Sequence, residues 1–104
     1  MRPQDLSVRK RLINFAEECS EANQAALKLI RAIEGDTPVT EDEAVKHLLE
    51  EMADVYVTAL ALEPDRMTIE AIARQKSRRW EERLSGNLEA IRKTMEEGCG
   101  DEGE

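Results

Sequence analysis

The middle of the chain has the apolar spacing of a buried helix, yet it carries acidic residues beside its apolar face. Glu51 and Asp54 lie next to that apolar stripe and three residues apart, so they share one side of the helix. Carboxylates beside a core stripe lose hydration and need a partner. The apolar stripe, with residues at helical intervals, consists of Val45, Leu48, Met52, Val55 and Ala59.

An earlier segment repeats this design. Glu18 and Glu21 are three residues apart and flank a second apolar stripe of helical spacing. Two acidic pairs on two apolar helices suggest one shared metal site. The second stripe, which we expect to face the core, consists of Leu12, Phe15, Cys19, Ala22, Ala26, Leu29 and Ile33.

Composition restricts the fold and the class of partner. The chain has 104 residues, the length of one domain, and is 40% hydrophobic and 37% charged with only three aromatic residues. Such a mixture favours an all-α protein. A net charge of -8 argues against nucleic acid as a partner, and the sequence has no apolar run of membrane length. Cys19 and Cys99 do not form a disulfide framework, so we expect a cytoplasmic protein with no membrane association.

Local signals predict where the first two helices begin and end. Asp5 or Ser7 is expected to cap a first helix that runs to about Ile33, before a break at residues 35–38. Thr40 and Glu43 have the spacing of a capping box, so a second helix should start there and run to about Leu62.

A third helix is expected from about Thr68. Gly86 and its neighbours Ser85 and Asn87 favour a break, after which residues 88–95 either continue this helix or form a short fourth one. We expect residues 1–95 to form the folded domain and residues 96–104 to be a disordered acidic tail. The residues of the third helix that should face inward are Ile69, Ile72, Ala73, Trp80 and Leu84.

The short loop between the first two helices predicts an antiparallel hairpin. At about 1.5 Å per residue, Glu21 and Glu51 lie roughly 18 and 15 Å from the turn, and Glu18 and Asp54 roughly 22 and 20 Å. The four carboxylates should therefore face each other as two rungs. Such a cluster repels itself unless a hard divalent cation neutralises it, above all Mg²⁺, for which Mn²⁺ can substitute.

Basic residues extend this pattern. Lys28 lies on the same line of the first helix as Glu18 and Glu21, and Lys76, Arg79 and Arg83 lie on one line of the third helix. Cations so placed would bind the phosphate groups of a metal-bound ligand. The alternative is that both acidic pairs and the basic line are solvated surfaces, because acidic pairs at this spacing arise by chance in so acidic a chain.

The segments Glu17-Glu18-Cys19-Ser20-Glu21 and Glu50-Glu51-Met52-Ala53-Asp54 resemble the E-x-x-E and E-x-x-D signature of MazG-like all-α nucleoside triphosphate pyrophosphohydrolases. The similarity covers roughly residues 12–83. It implies Mg²⁺-dependent cleavage of a (deoxy)nucleoside triphosphate to the monophosphate and pyrophosphate. In that case Glu18, Glu21, Glu51 and Asp54 are the catalytic metal ligands, and Lys28, Lys76 and Arg79 match basic positions that follow in the family.

The resemblance also implies a role and an assembly. The role would be control of the nucleotide pool or removal of non-standard nucleotides. The assembly would be an antiparallel helical bundle completed by oligomerisation, as a homodimer or a tetramer, because one chain of this size cannot cover all its apolar stripes. Two alternatives stay open at this point. One is a phosphoribosyl-ATP pyrophosphohydrolase, and the other is a non-catalytic helical assembly module.

Overall fold

A computed structural model describes the backbone of residues 1–102 and the side chains of residues 1–97. It contains three α-helices, which are α1 (Val8–Glu34), α2 (Glu41–Ala61) and α3 (Arg66–Glu102). No strand occurs within the described residues. A short 3-10 turn, Pro3–Asp5, precedes α1. The all-α class is therefore confirmed. None of the helices within these residues is long and apolar enough to cross a membrane.

Local side-chain signals set the ends of α1 and α2. Of the two candidate caps, Ser7 is the one that caps α1, accepting a hydrogen bond from the Lys10 amide at 3.1 Å. Gly35 ends α1 in the left-handed conformation, with φ of 77°, which costs glycine nothing. The predicted capping box of α2 is present, because Glu43 donates its amide to Thr40 and the Thr40 amide donates back to the Glu43 carboxylate.

Helices α1 and α2 pack against each other as an antiparallel hairpin. The guanidinium of Arg11, near the start of α1, donates a 2.8 Å hydrogen bond to the carbonyl of Ala61, the last residue of α2. Nearer the loop, Glu18 approaches Glu51 and Asp54. The chain divides into two compact units, of which residues 1–64 contain this hairpin and residues 65–104 contain α3.

The hairpin buries little apolar surface. Within the described residues the buried apolar side chains are those of Ala25, Ala44 and Ala61, all small, which lets the two helices approach closely. The predicted stripes are only partly right. Most of their members, such as Phe15 and Val55, are half-buried. The stripe members Leu12, Ile33, Val45 and Met52 are exposed instead, each by 41% or more.

Helix α3 is one continuous helix through Ser85, Gly86 and Asn87, so the structure decides against a break there. Asp65 precedes it and accepts a hydrogen bond from the Thr68 amide at 3.3 Å, which lowers the pKa of the Asp65 carboxyl. All its described side chains are exposed. The predicted inward face of the third helix is therefore wrong. Its residues, all of which are exposed, are Ile69, Ile72, Ala73, Trp80 and Leu84.

The predicted tail, residues 96–104, is not tested. Helix α3 is described as far as Glu102. Residues 103 and 104, and the side chains from 98 onwards, lie outside the described residues, among them the side chain of Cys99.

Candidate metal centre

Three carboxylates from the two helices of the hairpin converge. One oxygen atom from each of Glu18, Glu51 and Asp54 lies within 4.8 Å of the other two. Glu18 comes from α1 and the other two residues come from α2, one turn apart. The three oxygens are near enough to one another that this group of acidic residues could hold a metal ion.

The antiparallel register explains why these residues meet. The contact between Arg11 and Ala61 at the open end of the hairpin fixes which residues lie opposite each other. Counting seven residues inward along each helix leads from Arg11 to Glu18 and from Ala61 to Asp54. Seven residues are two helical turns, so both steps return to the same face at the same depth. The predicted pairing of Glu18 with Asp54 follows directly.

Glu21, the fourth predicted ligand, lies beside this group and not within it. Its side chain is exposed. Its carboxylate nevertheless lies close enough to Glu18 and Glu51 for its charge to affect the ionisation of both. The structure thus brings three of the four predicted carboxylates together and leaves the fourth at their edge.

The proximity of like charges perturbs the ionisation of two members of the group. Burial raises the pKa of Glu18, and the carboxylates of Glu21 and Asp54 raise it further. Burial also raises the pKa of Glu51, with Glu21 as the next cause. His47 opposes this effect on Glu51, since its Nε2 atom lies 3.8 Å from Glu51 Oε1 and a protonated imidazole favours the carboxylate.

The environment of Glu51 gives the strongest indication that this cluster of carboxylates needs a cation or a hydrogen-bond donor. Its side chain is only 14% exposed. The Oε2 atom is buried and has no hydrogen-bond partner in the described part of the chain. A buried carboxylate oxygen without a partner is costly unless a cation or a donor satisfies it. An all-oxygen donor set of this kind fits a hard divalent cation and does not fit a soft, thiolate-preferring one.

The predicted phosphate-binding cations lie on two different units. Lys28 is exposed on α1, seven residues after Glu21 and therefore on the same face of the helix. Lys76, Arg79 and Arg83 are all exposed on α3, which belongs to the other unit. Their role as ligands of phosphate stays a prediction.

The sequence pattern missed Arg11 and the cavity beside it. Arg11 donates hydrogen bonds to the carbonyls of both Leu6 and Ala61, at 3.2 and 2.8 Å. It lines a cavity of about 340 Å³ between the N-terminal turn, the start of α1 and the end of α2. The one available signal was that Arg11 lies two turns before Glu18 on the same face.

Comparisons with known proteins give no significant match. No family model matches this sequence, and no curated protein and no solved structure matches it either. The resemblance to MazG-like pyrophosphohydrolases therefore stays a prediction that depends on the two acidic motifs and their geometry.

Proposed function

We propose that this protein is a Mg²⁺-dependent nucleoside triphosphate pyrophosphohydrolase, which cleaves (deoxy)nucleoside triphosphates to monophosphates and pyrophosphate. The observation that supports it most is the convergence of Glu18, Glu51 and Asp54 within 4.8 Å at matched depth on two antiparallel helices. If the two acidic motifs form one metal site, their carboxylates must lie opposite each other on the two helices. Two solvated acidic faces would not need to face each other.

In this proposal Glu18, Glu51 and Asp54 hold the metal, and Glu21 completes the acidic rim. When bound, Mg²⁺ supplies positive charge for the phosphate groups and lowers the pKa of a water molecule. The carboxylates fix where the triphosphate lies, because their geometry is set by two packed helices and not by a loop. Burial of the Glu51 side chain excludes bulk water from that side of the site.

The basic residues would bind the remaining phosphate charge. Lys28 lies exposed on the face of α1 that carries the acidic pair, so it would bind a ligand whose phosphate groups extend from the carboxylates towards the loop. Lys76, Arg79 and Arg83 would bind the departing pyrophosphate, either within one chain or from a second copy.

An oligomer would complete the bundle. Many large apolar side chains are exposed on α1 and α2, including Ile30 at 50%, Leu49 at 59% and Tyr56 at 63%. So many exposed large apolar side chains on two packed helices favour an interaction site. We propose a homodimer or a tetramer, which acts in the cytoplasm on the nucleotide pool or on non-standard nucleotides.

The decisive experiment measures pyrophosphate release from a panel of nucleoside triphosphates and phosphoribosyl-ATP, with Mg²⁺ and with EDTA. Glu51→Gln removes one charge from the group with little change in shape. Glu41→Gln makes the same change at an exposed position of α2, about 15 Å along the helix from Glu51. Mg²⁺-dependent release that is lost in Glu51→Gln and kept in Glu41→Gln is the expected result.

Other outcomes distinguish the alternatives. Release from phosphoribosyl-ATP alone would replace the proposed substrate by that compound. Absence of release from every compound, with a folded protein, would refute the enzyme and leave the helical assembly module.

A further inference from the structure

The cavity lined by Arg11 lies next to the cluster of Glu18, Glu51 and Asp54 along both helices. Asn14 lines it one turn before Glu18 on α1, and Thr58 lines it one turn after Asp54 on α2. One turn is about 5.4 Å. A molecule held by its phosphates at the carboxylates would therefore be close enough to place its next chemical group beside Asn14 and Thr58.

The cavity has the character of a small-molecule site. Its volume of about 340 Å³ falls within the range of about 300–1,000 Å³ that is typical of ligand sites. Aliphatic side chains make up much of the wall, and a few polar groups converge on it. The aliphatic residues are Met1, Pro3, Leu6, Val57 and Ala61.

The polar groups of the cavity differ in whether they are free to bind. The Thr58 hydroxyl donates to the carbonyls of Asp54 and Val55, at 2.9 and 3.0 Å, so only its acceptor capacity remains. Arg11 uses two of its five N–H groups on backbone carbonyls. The half-buried side-chain amide of Asn14 has no hydrogen bond to any described residue, so its donors and its acceptor are all available.

We propose that this cavity binds the nucleobase of the nucleotide and that Asn14 recognises the base edge. This inference rests on the proposed function for the identity of the ligand. Every nucleobase presents a donor next to an acceptor on its edge, and an amide pairs with such an edge through two hydrogen bonds. The flat, apolar faces of a nucleobase ring match the aliphatic wall of the cavity. An ion or a sugar phosphate without a base would not need such a wall.

The freedom of the Asn14 amide has a consequence for specificity. No hydrogen bond from a described residue fixes which way the amide points, so it can turn over and present donor and acceptor in either order. It therefore pairs with uracil in one orientation and with cytosine in the other. The site binds a nucleobase firmly and discriminates little between oxo- and amino-bases of the same size.

The test measures nucleoside binding without metal, so that it does not depend on hydrolysis. Uridine, cytidine and ribose are titrated into the full chain in EDTA, and binding is followed by protein-observed NMR. We expect the dissociation constants of uridine and cytidine to lie within about threefold of each other. Ribose should bind at least about tenfold more weakly, because it lacks the base edge that forms a pair of hydrogen bonds.

Two variants and one control locate the site. Asn14→Leu keeps the size of the side chain and removes its hydrogen-bonding edge, so it should weaken both nucleosides by about tenfold. Val57→Phe fills the cavity and should abolish binding. Val45→Phe makes the same change on the same helix at an exposed residue outside the cavity, and should leave binding unchanged.

Failure of this inference differs from failure of the proposed function. Mg²⁺-dependent pyrophosphate release together with equal binding of ribose and nucleosides would overturn the nucleobase cavity and keep the enzyme. Nucleoside binding that survives both Asn14→Leu and Val57→Phe in folded variants would also overturn it. A preference for uridine over cytidine of tenfold or more would overturn the free orientation of Asn14.

Discussion

Arg11 is expected to determine much of the stability of the helical hairpin. Its guanidinium donates to the carbonyl of Ala61 at 2.8 Å and to that of Leu6 at 3.2 Å. The last carbonyls of a helix have no partner within the helix. Ala61 is only 7% exposed while the guanidinium is in place. Replacing Arg11 with Met keeps an unbranched apolar stem and removes both hydrogen bonds.

The magnitude follows from these contacts. A hydrogen bond that involves a charged group contributes about 1.5–3 kcal/mol, and an ordinary one about 1 kcal/mol. We take about 2 kcal/mol for the short bond to the Ala61 carbonyl and about 1.5 kcal/mol for the longer bond to the Leu6 carbonyl, since the charged guanidinium donates both. Releasing the half-buried side chain returns about 1 kcal/mol of rotamer entropy. Arg11→Met should therefore lower the free energy of unfolding by about 2.5 kcal/mol, which corresponds to a fall in Tm of roughly 10–20 °C.

Thermal melts followed by far-UV circular dichroism measure this effect at equal protein concentrations. Arg9→Met is the matched control, because Arg9 lies on the same helix, is exposed and has no hydrogen bond from its side chain to a described residue. The Tm of Arg11→Lys should lie between those of the wild type and Arg11→Met, because a single ammonium group cannot reproduce the two hydrogen bonds of the planar guanidinium. Equal Tm values for Arg11→Met and Arg9→Met would refute the role assigned to Arg11.

Three further predictions concern the cluster of Glu18, Glu51 and Asp54 and the assembly of the protein. Excess Mg²⁺ or Mn²⁺ should raise the Tm above that in EDTA, because a bound cation relieves carboxylate repulsion; identical melts would count strongly against a metal site. In EDTA the raised pKa values of Glu18 and Glu51 mean that the folded state binds protons more tightly than the unfolded state. Their contribution to stability is therefore fully present below the ordinary glutamate pKa and is lost as the pH rises through the raised values, so melts in EDTA should show a higher Tm near that pKa than at neutral pH. A Glu18→Gln, Glu51→Gln double variant should flatten this dependence, and an unchanged slope would contradict it. Light scattering at micromolar concentration should give a dimer or a tetramer, whereas a well-folded monomer would show that the exposed apolar faces need no second copy.

Local signals predicted much of the secondary structure correctly. The capping box at Thr40 and the glycine at 35 mark helix ends through contacts between near neighbours, which a sequence displays directly. The matched depth of Glu18 and Asp54 could also be calculated, because the rise of an α-helix per residue is constant. The break at Gly86 was the weak prediction, since one glycine costs a helix only about 1 kcal/mol.

The tertiary structure alone decided which groups touch. Spacing along the chain does not fix how far each helix is rotated about its own axis, so it could not show that Glu21 lies at the edge of the group while Glu51 is largely buried. It could not reveal the hydrogen bond between Arg11 and Ala61, fifty residues apart. The cavity beside Asn14 exists only because the N-terminal turn, α1 and α2 meet there. The sequence by itself determined the helices and the acidic pairs through local, periodic interactions, whereas the packing of one helix on the other decided which side chains are close enough to act together.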